Sequence, residues 1–164
     1  MITIKKLSLE EAMVGLNAML EEAKKDPQRP MAMVVVDESG APICFYRMDG
    51  TNSDFTRRMA FRKANSAAQS GNNTRAFKNG IVPEGLTPGH FNDPDLCAVP
   101  GGVIIVPPDR EQNEWKQGPL GPEVSVARGH VGATGTSGRN AHEDEAIAQI
   151  GARAIQKLIW PDGK

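Results

Sequence analysis

The sequence predicts an α+β fold with a mostly antiparallel sheet, and three observations carry that expectation. First, two apolar runs, "MAMVVVD" at 31–37 and "PICFYRM" at 42–48, are joined by the short Gly-containing turn "ESGA", a hairpin signal. Second, three stretches have helical character, near 8–25, 53–71 and 141–159. Third, the order is helix, two strands, helix, three or so strands, helix. That order lacks the regular alternation of a parallel βαβ sheet.

Each element has its own justification. Ser8 caps the first helix, with Glu11 three residues on as its capping-box partner. Ala12, Leu16, Met19, Leu20 and Ala23 then form an apolar stripe, and the two prolines of "DPQRP" end the helix. "DGTN" breaks the second strand. A second helix is predicted from Ser53 or Asp54 through "FTRRMAFRKANSAAQ" to Gly71. Residues 74–100 are rich in Gly, Pro and Asn and are expected to hold about one helical turn. "DLCAV" and "GVIIV" read as short strands around "PGG", and the polar, proline-bounded run 107–123 reads as a long loop. A last hairpin, "VSVARGHVGATGT", is predicted to turn at Arg128–Gly129 before the terminal helix 141–159.

The whole-chain properties exclude several function classes. At 164 residues the chain fits a single domain, 1–164. Its 19 basic and 20 acidic side chains leave a formal net charge of −1, which gives no footprint for nucleic acid or an anionic membrane. Aromatics at 5% are too few for a base-stacking platform. No signal peptide or membrane-length apolar run is evident. Cys44 and Cys97 sit in apolar contexts and read as free thiols of a reducing compartment, so a cytoplasmic location is expected.

The run "GHVGATGTSGRNAHEDEAIAQIGARAI" is the most informative stretch. Gly132, Gly135 and Gly138 invite a dinucleotide reading, but the following helix runs nearly to the last residue and leaves no second parallel strand. No Gly-Lys-Ser or Gly-Lys-Thr occurs, which excludes a phosphate-binding loop of that type. Glycines in a strand admit another backbone or a ligand, and the helix start offers N–H groups to an anion. Asn140 is expected to cap that helix with Glu143 in the capping-box position, so Glu143 reads as helix-start stabilisation.

Four blocks in order, "VVVDESGAPICFYRMDGT", "AFRKANSAA", "PGGVIIV" and the glycine run, resemble the GlcG/HbpS-like family, often called haem-degrading domains. They span most of the chain from residue 34 to 155, and the same fold forms the C-terminal part of a corrinoid adenosyltransferase family. The resemblance implies a profilin-like architecture: a central antiparallel sheet of about five strands flanked by helices, assembled as a homo-oligomer. It also implies a small-ligand pocket, used for haem or a related tetrapyrrole in some members, while others serve catabolic pathways. Positions matching the family are Asp37, Gly40, Arg47, Asp49, Gly50, Lys63, Gly101, Gly102, Gly135, Ser137, Gly138, Asp144 and Glu145. Two departures stand out. No histidine precedes His90, where haem-binding members often place the iron ligand, and the loop 107–123 looks like an insertion.

The chemistry available follows from residue type. Arg47, on a strand followed by "MDG", can grip a carboxylate, or else pair with Asp49 or Asp54. Ligand-binding candidates are Arg47, Asp49, Gly101, Gly102, Gly135, Ser137 and Gly138. Lys63 sits among small helix residues, where it serves either as a proton-transfer group or as a solvated surface lysine. It is a catalytic candidate together with Asp144 and Glu145. His90, His130 and His142 match no strong ligand spacing, so no metal is expected. Trp115, on the long loop, suits a lid or subunit contact. Three functions remain open: a module binding an anionic or planar ligand, with haem as the cofactor the resemblance implies; an enzyme doing acid–base chemistry on a small unsaturated carboxylic acid, by tautomerisation or by imine or enamine hydrolysis; and a structural oligomer component.

Overall fold

The computed structural model describes residues 5–52, 54–110, 116–118, 121–123 and 129–163. In chain order the elements are α1 (Leu9–Ala23), β1 (Ala32–Asp37), β2 (Pro42–Arg47), α2 (Asp54–Ser70), α3 (Thr74–Ile81), β3 (Gly102–Ile105), β4 (Lys116–Gly118), β5 (Gly121–Glu123), β6 (Gly132–Ser137) and α4 (Ala141–Ile159). Four strands form one antiparallel sheet in the order β2-β1-β6-β3, and β4 and β5 form a separate ribbon. The α+β class stands, with four strands in the central sheet where about five were expected.

Strand periodicity sorts the core into two layers. Met33, Val35, Val103 and Ile105 face Leu16 and Met19 of α1 and Ile147 and Ile155 of α4. Ala32, Val34, Val36 and Ile104 face Ala60, Ala64, Ala67 and Ala68 of α2. The sheet is thus covered by α1 and α4 on one side and by α2 on the other. The predicted capping box of α1 is present: Glu11 N–H donates to Ser8 Oγ at 3.2 Å and Ser8 N–H to Glu11 Oε2 at 2.9 Å. The β1–β2 turn hangs on Asp37, whose Oδ1 accepts from Ser39 N–H at 2.8 Å, Ser39 Oγ at 2.6 Å and Ala41 N–H at 3.0 Å. Gly40 closes that turn at φ +88°.

Three sequence expectations are corrected. Residues 74–100 hold a two-turn helix, α3, whose Ala76, Phe77, Gly80 and Ile81 are buried at helical spacing. "DLCAV" is not a strand, because Cys97 N–H donates to the Ser66 side chain of α2 at 2.8 Å instead of to a neighbouring strand. Part of the predicted loop 107–123 is the β4–β5 ribbon, while Trp115 lies outside the described residues. β6 pairs with β1 and β3, and Val131 N–H, just before it, donates to Ile105 O at 2.8 Å. The first arm of the predicted last hairpin, 124–128, lies outside the described residues.

Candidate functional site

The site is built where α2 presses on the sheet. Along β6, Ala133 and Gly135 face α2, while Thr134 and Thr136 face α4. The small residues let α2 approach: a Cβ at Gly135 would collide with Ala60 O and Ala64, and one at Gly102 with the Lys63 carbonyl. The threonines bind the other helix, Thr134 Oγ1 donating to Ala148 O at 2.8 Å and Thr136 Oγ1 to Asp144 O at 2.6 Å. Gly135 therefore serves close helix packing, whereas Gly132 lies against the backbone of Val36 in β1. Gly138, at φ +141°, turns the chain from β6 towards α4 against Pro30 and Met31.

Lys63 descends from α2 into this seam. Its Nζ donates to Asp144 Oδ2 at 2.6 Å and to Thr136 O at 3.1 Å. Lys63 is 2% exposed and Asp144 1%, so the pair is sealed from solvent. Gly101, at φ +126°, leaves the space that the lysine fills: a Cβ there would lie 2.9 Å from Lys63 Cδ. Asp144 Oδ1 accepts from Arg139 N–H at 3.0 Å. The turn N–H that the sequence offered to an external anion at 137–139 is thus met, at Arg139, by the protein's own carboxylate. Burial pushes the Asp144 carboxyl up from the usual range, against the pull of Lys63 and the Arg139 N–H. Lys63 is accordingly not the solvated surface lysine that was one of its two readings.

The neighbouring acids turn outward. Asn140 caps α4, accepting from Glu143 N–H at 2.9 Å, while the Glu143 carboxylate pairs with Arg29 at 2.8 Å. Arg139 reaches back to the carbonyls of Ala23, Asp26 and Arg29, which fastens the end of α1 to the start of α4. Glu145 pairs with Arg75 of α3 at 2.6 Å. Between α3 and α4 opens a cleft of about 310 Å³ with Asn73, Arg75, His142, Glu145 and Gln149 on its walls beside Ala76 and Ala146.

The remaining candidates are dispersed. Arg47 and Asp49 are exposed at the end of edge strand β2, and Arg47 forms no ion pair among the described residues. Ser137 is buried at the end of β6, in register with Ala32. His90 Nδ1 accepts from Thr87 N–H at 2.9 Å, and His130 Nε2 lies 3.3 Å from Glu38 O. No group of three His, Cys, Asp or Glu fit to hold a metal occurs among the described residues. Both cysteines are free, and burial pushes the Cys44 thiol up to about 11. Sequence reasoning missed Asn73, Arg75 and Gln149. Arg75 lay in a segment read as nearly irregular, so nothing marked it as a partner of Glu145.

The comparisons with known proteins agree with this architecture. The family described as haem degrading protein HbpS-like matches residues 7–112, and the chain belongs to that family. No curated protein matches the sequence. Among solved structures, the Klebsiella pneumoniae protein ORFY is 18% identical, with 94% of each chain covered and a TM-score of 0.72. A double mutant of Streptomyces reticuli HbpS is 23% identical, covering 93% of this chain and 89% of that one, with a TM-score of 0.68. The PduOC:heme complex is 21% identical, covering 92% and 95%, with a TM-score of 0.69. At these identities the likeness establishes the fold. No helix among the described residues is long and apolar enough to cross a membrane.

Proposed function

We propose that this member of the HbpS-like family is a small-ligand-binding protein whose ligand is a small organic anion held in the α3–α4 cleft. One observation carries the reading: Arg75, His142, Asn73 and Gln149 converge with two alanines on a cleft of about 310 Å³, near the lower end of the range for small-molecule sites. Arg75 meets Glu145 through Nε and Nη2 only, so part of its guanidinium fork remains to grip a carboxylate. Family resemblance supports a place in a catabolic pathway and assembly as a homo-oligomer. Phe55, 67% exposed on α2, supplies apolar surface for such assembly.

One similar structure, the PduOC:heme complex, contains haem. His90 uses Nδ1 as an acceptor, so its proton sits on Nε2 and blocks that nitrogen from iron. His130 donates from Nε2 to the Glu38 carbonyl. His142 alone among the three lines the cleft, yet the cleft has charged walls, no Phe, Tyr or Trp ring, and too little volume to enclose a macrocycle. These residues do not fit an enclosed haem. The acid–base alternative also narrows, since Lys63 and Asp144 are buried against each other and do not line the cleft. Proton transfer there would fall to His142 and Glu145.

Two titrations test the reading. A panel of short carboxylates should raise the melting temperature of the protein and lose that effect in Arg75→Gln. Haemin should give no sharp Soret band at one equivalent. A sharp band abolished by His142→Ala would replace the organic anion with haem.

A further inference from the structure

The far end of α4 carries a second cleft, of about 320 Å³, lined by Pro108, Arg153, Lys157, Trp160 and Pro161. Arg153 and Lys157 are four residues apart and so share one helix face, with Trp160 one turn beyond. The end of the helix is firmly held. Gln156 is buried and donates to Val106 O at 2.8 Å, and Trp160 N–H donates to Gln156 O at 2.8 Å. Gly163 N–H donates to Trp160 O at 3.0 Å, which folds the tail back beside the indole.

Ion pairing leaves two cations side by side here. Among the described residues Lys5, Lys6, Lys24, Lys25, Arg29, Arg57, Arg58, Arg62, Lys63 and Arg75 form ion pairs, while Arg47 on β2 and Lys78 on α3 form none. Arg153 and Lys157 form none among the described residues, although both are exposed on the rim of a cleft. Two cations in a last helical turn complement the helix dipole, and that alone would call for no ligand. The indole and the two prolines change the reading. They add flat apolar surface that a simple counter-ion would leave unused, while a planar ring would stack on it.

We propose that this cleft is a binding site for a small aromatic carboxylate, with the ring against Trp160 and the carboxylate held by Arg153 and Lys157. It is independent of the α3–α4 cleft, with which it shares no residue. A ring with one or two carboxylates matches both the volume and the paired cations, whereas phosphate or an aliphatic diacid matches only the charge.

The test uses the full chain labelled with nitrogen-15. The Trp160 indole N–H signal is assigned by its loss in Trp160→Phe, and phthalate is titrated in. The signal should shift and saturate with phthalate, and stay in place with succinate or inorganic phosphate at the same concentration. Arg153→Gln and Lys157→Gln should each weaken phthalate binding by roughly three- to tenfold, as expected for an exposed charge contact. Both side chains are exposed, so the rest of the spectrum should remain folded and unchanged. Arg75→Gln should leave phthalate affinity at this signal unaltered. The proposal fails if phthalate gives no saturable shift, if succinate or phosphate shifts the signal equally, or if Arg75→Gln abolishes the effect.

Discussion

Asp144 and Glu145 are consecutive residues, each paired with a cation from another helix, yet they occupy opposite worlds. The Lys63–Asp144 pair is 2–3% exposed at its side chains, while Arg75 is 47% and Glu145 21% exposed. The helical turn alone makes the difference, since neighbours on a helix point about 100° apart. Inside, two charges have lost their water and hold together only through close geometry and extra hydrogen bonds. Outside, the same type of pair is screened and nearly neutral in energy. The comparison separates framework from function: the buried pair fixes α2 to the β6–α4 junction, and the open pair, cheap to rearrange, is the one available to a ligand.

The largest expected effect breaks the buried pair. Lys63→Met or Asp144→Leu alone strands a charge without solvent and should cost about 3–5 kcal/mol in urea unfolding. The double variant Lys63→Met/Asp144→Leu should recover most of that loss, because no uncompensated charge remains. If each single variant lost under 1 kcal/mol, water would have to reach the pair, and the contrast with Glu145 would collapse.

Much of this framework was legible in the sequence. The Ser8–Glu11 box, the hairpin turn between 37 and 42, and the small residues of α2 are local patterns, and local patterns survive into structure. An acid at the start of α4 meeting Lys63 was open to sequence reasoning, but which acid, and Arg75 as the partner of Glu145, were not legible, because these pairings join residues 81 and 70 positions apart. Nothing in "RKANSAA" tells a buried lysine from a solvated one. Only the glycines at 101 and 102, whose missing side chains leave room for Lys63, hinted at it. α3 was missed because Asn, Gly and Pro around it mimic a loop, while its buried Phe77 and Ile81 depend on tertiary contacts.

Acid titration sharpens the contrast between a carboxyl sealed in the core and one held at a surface turn. Burial holds the Asp144 carboxyl above the usual 3.8. Burial also pushes Asp37 upward, but bonds from Ser39 and Ala41 outweigh it and hold that carboxyl below 3.8. The signs follow. Asp37 contributes stability that is present above pH 3.8 and lost as pH falls through its lower folded value. Asp144 keeps its proton after the unfolded chain has lost one, so its ionisation opposes folding as pH rises through its raised value. Carboxyl carbon shifts followed by NMR should show Asp37 titrating below Asp144. The reverse order would mean that the donors around Asp37 do not hold in solution.

The smallest effect on stability should fall on the open pair. Glu145→Gln keeps the shape of the side chain and removes one charge from an ion pair with an exposed partner, so it should cost roughly 0–1 kcal/mol in the same urea assay. Its effect on binding should be of the opposite character. In the free protein Glu145 occupies one edge of the Arg75 fork, and a ligand carboxylate entering the cleft meets both the arginine and the repulsion of that acid. Neutralising Glu145 removes the repulsion and frees the guanidinium, so short carboxylates should bind more tightly, by roughly three- to tenfold. Arg75→Gln should abolish that binding at similarly small cost in stability. If Glu145→Gln instead weakened binding while leaving the fold intact, Glu145 itself would be contacting the ligand. The bound molecule would then need a donor group facing the acid, and the cleft would favour an amino or hydroxy acid over a bare carboxylate.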